Sequence, residues 1–307
     1  MMDGDLAAAS ETRVATCWVC GAAELSLAKP GNLPETVDET AFQITDSDYG
    51  RTADIYRCGA CGFLQCSDFD NVLDFYREMD DAGYEATRGQ RALQSRRLLR
   101  TFARHKPRGR LLDVGAGSGI LVHEALEMGY QAEGVEPSRS LQARAADMGL
   151  PVKLGLLGEA EITTPVDAVS LIDVIEHVPD PVGLMREIGA TLDEEGMVMV
   201  VTPDVGSLAA RMLGWKWWHF RIAHIGYFDK KTLTAAAHAA GFEVVSMTRP
   251  SWYFPADYLF ARVLSYFPKA LQFKPPAFLG SVTVPLNLFD SLCMICRKRP
   301  GAGSGTP

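Results

Sequence analysis

The chain has 307 residues, of which 47% are hydrophobic and 22% charged, and its formal net charge is −8. This length and balance suit a globular protein able to bury a large core, while the negative balance disfavours nucleic acid as a partner, because such binding rests on basic surface. No stretch reaches the roughly 18 to 20 consecutive apolar residues of a membrane span, and the acidic first residues lack the apolar core of a leader, so a cytoplasmic protein is expected.

Residues 1–13 read as a disordered arm, and the first informative residues after them are cysteines. Cys17-Trp18-Val19-Cys20-Gly21 and Cys58-Gly59-Ala60-Cys61-Gly62 are two Cys-x-x-Cys-Gly units. Two intervening residues let both thiolates grip one tetrahedral ion, and the glycine relieves crowding where backbone amides turn towards sulfur. Two such pairs supply four ligands and leave no position for water, so Cys17, Cys20, Cys58 and Cys61 are expected to hold a structural zinc. The zinc-ribbon-like module should span 14–70, with strands at 42–45 and 54–57 in its long internal loop. Cys66 reads as an unpaired thiol. A basic run from Arg91 to Arg110 contains Leu93, Leu98, Leu99 and Phe102, which suggests an amphipathic helix with a solvated basic face.

Leu111 to Val114 is a short apolar strand that runs into Gly115-Ala116-Gly117-Ser118-Gly119. Alternating glycines let the backbone turn sharply and approach a ligand where any Cβ would collide, and Ser118 is expected to cap a helix reaching about Met128. A second strand, Gln131 to Val135, ends at Glu136-Pro137. The Glu136 carboxylate can accept hydrogen bonds from both hydroxyls of a ribose, so the unit reads as a nucleotide-cofactor site. The dinucleotide fingerprint needs glycine at 120, where Ile120 stands.

Val166 to Ile172 is a third apolar strand, followed by Asp173-Val174-Ile175-Glu176-His177-Val178-Pro179-Asp180-Pro181. A helix over 181–192, a buried strand over 197–202, a helix over 229–240 and a strand from Phe242 continue the alternation. Such a pattern implies an α/β protein with a parallel sheet, helices on both faces and a ligand beyond the carboxyl ends of the strands. Asp113, Glu136 and Asp173 each end a strand and so converge there. Trp215-Lys216-Trp217-Trp218-His219-Phe220 is either an apolar wall over a substrate or the closure of the core beneath the next helix. Residues 252–289 are rich in aromatics and proline, with a helix expected over 256–266. That insertion needs a cover for its apolar surface: a lid over the site or a homodimer contact through 251–286 is favoured over a membrane-surface contact. A last strand is expected over 287–296, with Cys293 and Cys296 on opposite faces, and 301–307 as a disordered tail.

The segment Asp113-Val114-Gly115-Ala116-Gly117-Ser118-Gly119, with Glu136 after it, resembles the first motif of class I S-adenosylmethionine-dependent methyltransferases. The resemblance implies a Rossmann-like seven-stranded sheet over 109–300, its last strand antiparallel, after a helical linker and cofactor lid over 71–108. It implies S-adenosylmethionine bound by Asp113, Gly115, Ala116, Gly117, Gly119, Glu136, Pro137, Asp173 and Val174, with Tyr84 closing over it. Phe75 and Tyr76 share that lid position, or all three serve as packing residues. The four-cysteine module before such a domain is similar to an arrangement in sugar C-methyltransferases of natural-product pathways, although those usually carry a large further C-terminal domain that is not expected within these 307 residues.

His224-Ile225-Gly226-Tyr227-Phe228 is similar to a His-x-x-Tyr-Phe segment of the same family at the mouth of the substrate cavity, and the Glu176-His177 pair should face that cavity from the other side. Methyl transfer to an alcohol or carbon acid requires removal of a proton, and histidine titrates in the right range without perturbation. His224 is therefore the expected general base, with His177 and Tyr227 orienting substrate or cofactor; the same segment could instead be a helix-entry packing motif. Asp173, Glu176 and His177 also resemble a divalent-metal segment of some quinone-pathway O-methyltransferases, where magnesium would take oxygen ligands, though the triplet occurs in the family without metal. The expected activity is methyl transfer to oxygen or carbon of a small molecule in secondary-metabolite, sugar or envelope-related biosynthesis. A non-catalytic module that kept the cofactor fold, and a protein or RNA methyltransferase, are the alternatives.

Overall fold

The computed structural model describes residues 16–33, 49–66, 72–78, 82–264 and 273–299. The chain forms β1 (Leu25–Lys29), β2 (Ile55–Cys58) and β3 (Leu64–Cys66), then three helices, α1 (Val72–Glu78), α2 (Ala82–Ala86) and α3 (Arg88–Phe102). An alternating stretch follows: β4 (Arg110–Val114), α4 (Ile120–Glu127), β5 (Gln131–Glu136), α5 (Arg139–Asp147), β6 (Val152–Leu154), β7 (Val166–Ile172), α6 (Pro181–Thr191) and β8 (Leu192–Pro203). Then come α7 (Leu208–Leu213), β9 (Gly226–Tyr227), α8 (Lys230–Ala239), β10 (Phe242–Thr248), β11 (Trp252–Pro255), α9 (Ala256–Leu264), β12 (Thr283–Leu286) and β13 (Ser291–Lys298). The expected strand at 42–45, the arm 1–13 and the tail 301–307 lie outside the described residues.

The expected seven-stranded methyltransferase sheet is present, in the order β10-β13-β8-β7-β4-β5-β6. Its strands are parallel except β13, which is antiparallel to both β8 and β10. Central strands of such a sheet are covered on both faces and so read as nearly continuous apolar runs; the runs in β4, β7 and β8 are buried accordingly. Each Val or Leu buried there contributes about 1.5–3 kcal/mol relative to exposure. Cys293 and Cys296 in β13 fall in the two separate cores on either side of the sheet. That last strand starts at Ser291 rather than 287, because Asn287 uses its side chain in a turn, accepting from the Phe289 amide at 2.8 Å and donating to the Arg249 carbonyl at 3.1 Å.

Local signals set the helix starts. Asp180 caps α6 by accepting from the Gly183 amide at 2.7 Å, and Asp229 and Thr232 make a reciprocal capping box on α8. The N-terminal strands make a second sheet, β1-β2-β3-β9, in which β9 comes from the loop before α8. β1 was not read from the sequence: its five residues are short and mostly part-exposed, so no apolar face marks them. Strands β11 and β12 pair as a separate antiparallel ribbon. Among the described residues no helix is long and apolar enough to cross a membrane.

Candidate functional site

A cavity of about 910 Å³ opens beyond the carboxyl ends of the parallel strands. The turn after β4 forms its floor. Gly115 and Gly117 have φ of +77° and +54°, a region that L side chains rarely adopt. The Gly115 and Ala116 amides both donate to the Val135 carbonyl, at 2.9 and 3.0 Å. Glu136 accepts from the Gly117 amide at 2.7 Å and the Ser138 amide at 2.8 Å, which fixes its carboxylate beside the turn. Asp113 accepts from the Ser170 hydroxyl at 2.6 Å, and Asp173 stands at φ +52° at the end of β7. A Cβ on Gly117 would lie 2.7 Å from the Tyr84 hydroxyl, and one on Gly115 would lie 2.5 Å from Val174, so the cradle admits a ligand only against bare backbone.

Asp113, Gly115, Ala116, Gly117, Glu136, Pro137, Asp173, Val174 and Tyr84 all line this cavity. Gly119 does not. It begins α4 in the left-handed region, and a Cβ there would meet Leu150 at 2.8 Å, so this glycine serves helix entry and packing. Ser118 makes no cap either; its hydroxyl accepts from Arg88 at 2.9 Å. Burial pushes Asp113 up to about 7, helped by the Glu136 charge, and likewise lifts Glu136 and Asp173 to about 7. Carboxyls raised by desolvation are returned to the charged form by a nearby cation, so three such groups around one cradle fit a ligand bearing a sulfonium and an ammonium.

The other end of the cavity is built from histidines. His177 follows β7 in a short 3₁₀ turn; its Nδ1 lies 2.6 Å from the Ala223 carbonyl and 2.6 Å from the Tyr76 hydroxyl. The His224 ring stands edge-on to His177, with centroids 4.8 Å apart, and stacks on His219 at 5.6 Å. Burial and then the Arg221 charge keep these rings neutral, with His177 lowered to about 4 and His219 to about 3; burial likewise lowers His224 well below its usual range. The residues that could hold a cation are Glu176, His177 and His224, whose ligand atoms all lie within 4.8 Å of one another. The sequence reading placed Asp173 in that set; the fold instead puts His224 there.

Tyr227, expected to orient a ligand, is 4% exposed and does not reach the cavity. Its hydroxyl donates to the His224 carbonyl at 2.7 Å, so it holds the loop that carries His224. The tryptophan cluster divides between its two readings: Trp218 lines the cavity, whereas Trp217 is fully buried and donates its indole N–H to Asp290 at 3.3 Å. Part of the aromatic insertion also walls the cavity, through Trp252 to Pro255, Tyr258, Leu259 and Arg262.

Away from this cavity, the four N-terminal cysteines come together with their sulfurs all within 4.8 Å of one another. Cys17 Sγ lies 3.6 Å from Cys61 Sγ, and Cys20 Sγ 3.6 Å from Cys58 Sγ. A tetrahedron with Zn–S bonds of about 2.3 Å has sulfur edges of about 3.8 Å, so the set is sized for one such ion. The Cys61 amide donates to Cys58 Sγ at 3.5 Å and the Phe63 amide to Cys61 Sγ at 3.4 Å, the amide-to-sulfur contacts of a knuckle.

The profile of a family described as a methyltransferase domain matches residues 68–247, more than half of the chain. The chain belongs to that methyltransferase family. The matched span holds the glycine turn, the three carboxylates and all three clustered histidines; the cysteine module and the ribbon lie outside it. The chain is similar to the ubiquinone biosynthesis O-methyltransferase of Methylobacterium nodulans, 30% identical over 152 residues that cover 45% of this chain and 61% of that protein. It is likewise similar to the enzyme of the same name from Bradyrhizobium sp., 28% identical over 123 residues, 38% of this chain and 45% of that protein. The methyltransferase thus spans about half the length of the curated relatives it matches. A solved chain from the complex between the Haloferax volcanii Trm112 methyltransferase activator and a methyltransferase aligns with a TM-score of 0.51 at 14% identity, over 73% of this chain and 97% of that one. At that identity the likeness is one of fold.

Within the methyltransferase cavity, α3 contributes Arg91, from the basic run expected to form a solvated face, and Gln94. Arg91 lies 4.1 Å over the Tyr84 ring, and its charge holds Asp173 down against the effect of burial. Gln94 is 6% exposed and has neither amide atom hydrogen-bonded among the described residues. A signal was present: Gln94 and Ser95 are polar residues on the helix face that also carries Leu98, where an apolar stripe would be expected.

Proposed function

We propose that the chain transfers a methyl group from S-adenosylmethionine to a hydroxyl oxygen of a small molecule. The observation that carries this reading is the convergence of Asp113, Glu136 and Asp173 on a glycine cradle in one cavity with His177 and His224. The family and the O-methyltransferase names of its relatives support it.

When bound, S-adenosylmethionine supplies an electrophilic methyl group on a cationic sulfur. Glu136 offers its remaining lone pairs to ribose hydroxyls, while Asp113 and Asp173, desolvated in the cavity, favour the cationic part. Tyr84 and Arg91 cover the cradle and exclude water. At the acceptor end, neutral imidazoles stand ready to take a proton, and the aromatic wall of Trp218, Trp252 and Phe254 receives an apolar or ring-bearing body. The four cysteines hold a structural zinc, with no open position for chemistry.

Incubating the full chain with methyl-labelled cofactor and a small-molecule cell extract tests the reading. A labelled small product that disappears in Gly117→Arg is the expected result. Sustained absence of label transfer, with the cofactor bound, would leave only the non-catalytic binding module.

A further inference from the structure

The two histidines at the acceptor end differ in what their hydrogen bonds dictate. A backbone carbonyl can only accept. The Ala223 carbonyl lies 2.6 Å from His177 Nδ1, so that nitrogen carries the proton, and in a neutral ring the lone pair then belongs to Nε2. The Tyr76 hydroxyl closes the arrangement, 2.6 Å from Nδ1 and 3.3 Å from the same carbonyl. It donates to the carbonyl and presents its own lone pair to the Nδ1 proton; in the other tautomer the hydroxyl could turn to donate to Nδ1, but the carbonyl would still face a bare nitrogen at 2.6 Å with no proton between them. The Tyr76 ring meets the imidazole edge-on, with centroids 5.2 Å apart and planes at 71°, which fixes the ring plane as well.

His224 is packed between the His177 and His219 rings. The groups around His177 are Tyr76 from α1, Glu176 beside it, His219, His224 and Arg221; none of the described neighbours supplies a charge that would favour the imidazolium, and Arg221 disfavours it. Glu176, whose carboxyl shares a cluster within 4.8 Å with His177 and His224, has an Oε2 that accepts from Thr202 at 2.9 Å and an Oε1 buried without a hydrogen-bond partner among the described residues.

Resting on the methyltransferase reading, we propose that His177, rather than His224, is the general base, and that Tyr76 is a positioning residue that holds it as the Nδ1–H tautomer with Nε2 facing the acceptor. The acceptor hydroxyl gives its proton to Nε2 as its oxygen forms the new bond to the methyl carbon. The carbon–sulfur bond breaks with its electron pair left on sulfur, and the imidazolium then releases the proton to water. Because Tyr76 lies on α1, the base is complete only when that helix is seated over the cavity.

The tautomer is read directly by long-range ¹H–¹⁵N spectra of the full-length protein near neutral pH, with His177→Gln supplying the assignment. We expect one protonated and one bare nitrogen on His177, the bare one being Nε2, and in Tyr76→Phe a mixture of both tautomers. Cofactor affinity measured by calorimetry should be unchanged in Tyr76→Phe, which reports an intact fold. On the acceptor found in the extract experiment, Tyr76→Phe should lower kcat by about tenfold to a hundredfold, with KM little altered. A proton on Nε2 in the wild type, or a Tyr76→Phe protein with both tautomer and kcat unmoved, would overturn the assignment. Failure of all label transfer would sink the transferase reading and the base with it, an outcome distinct from transfer that ignores Tyr76.

Discussion

Leu64 in β3 pairs across an antiparallel ladder with Tyr227 in β9, so the cysteine module and the loop that carries His224 share one sheet. Two further contacts tie the same place: the Cys66 amide donates to the Ile225 carbonyl at 2.7 Å, and the Cys66 thiol approaches the His224 carbonyl at 3.9 Å. The cysteine module is therefore a buttress for the His224 end of the cavity.

Metal analysis of freshly purified protein should give about one equivalent of zinc, lost in Cys17→Ser and in Cys58→Ser, since removing one of four ligands opens the site. Chelation should lower Tm and disturb the acceptor end through β3 and β9. Cofactor binding at Gly117, which does not touch that sheet, should survive. A chelated protein with unchanged Tm would contradict the buttress.

The glycines of the turn should separate affinity from stability. Gly117→Ala places a Cβ against the Tyr84 hydroxyl and forces φ +54° on a side chain, and it should weaken cofactor binding by at least tenfold in calorimetry. Gly119→Ala meets Leu150 and Val152 instead, and its strain of about 1–3 kcal/mol should appear in denaturant unfolding with the affinity of folded protein little changed.

Burial raises Asp113, Glu136 and Asp173 to about 7, above their unfolded range. In the ligand-free protein their protonated forms are favoured, so their contribution to stability is fullest below the unfolded carboxylate range and is lost as pH rises through about 7. A cationic cofactor favours the ionised forms and must expel the protons. Calorimetry in buffers of different ionisation enthalpy should show proton release on binding at pH 6 that fades above pH 8. Release independent of pH over that range would count against the carboxylates as the cofactor's partners.

The adjacent tryptophans should behave differently. Trp217→Ala empties a fully buried site and strips Asp290 of a donor, for a loss of about 3–5 kcal/mol. Trp218 is part-buried at the edge of the same cluster, and Trp218→Ala should lower Tm less than Trp217→Ala and raise KM for the acceptor.

The legible parts of the fold were those with local signals. The alternation from Leu111 onward, the glycines and the strand-ending acids foretold the parallel sheet, because apolar runs and positive-φ turns are written in consecutive residues. The cysteine spacing was equally local. What was not legible depends on partners distant in sequence: the sharing of β9, the approach of Tyr76 to His177, and the turn of Arg91 and Gln94 into the cavity. Gly119 misled for the opposite reason, since a glycine that a helix entry requires looks the same in sequence as one that a ligand requires. Tyr227 misled because a tyrosine beside a histidine can equally orient a substrate or anchor a loop, and only its hydrogen bond to the His224 carbonyl tells them apart.

Tyr84 roofs the glycine cradle and Tyr76 roofs the base, and both precede β4 on the short helices α1 and α2. Two neighbouring short helices thus supply a wall to each half of the cavity, so a substitution on their outer surfaces, remote from the glycine cradle and the histidines, can reach both ends through the seating of those two tyrosines.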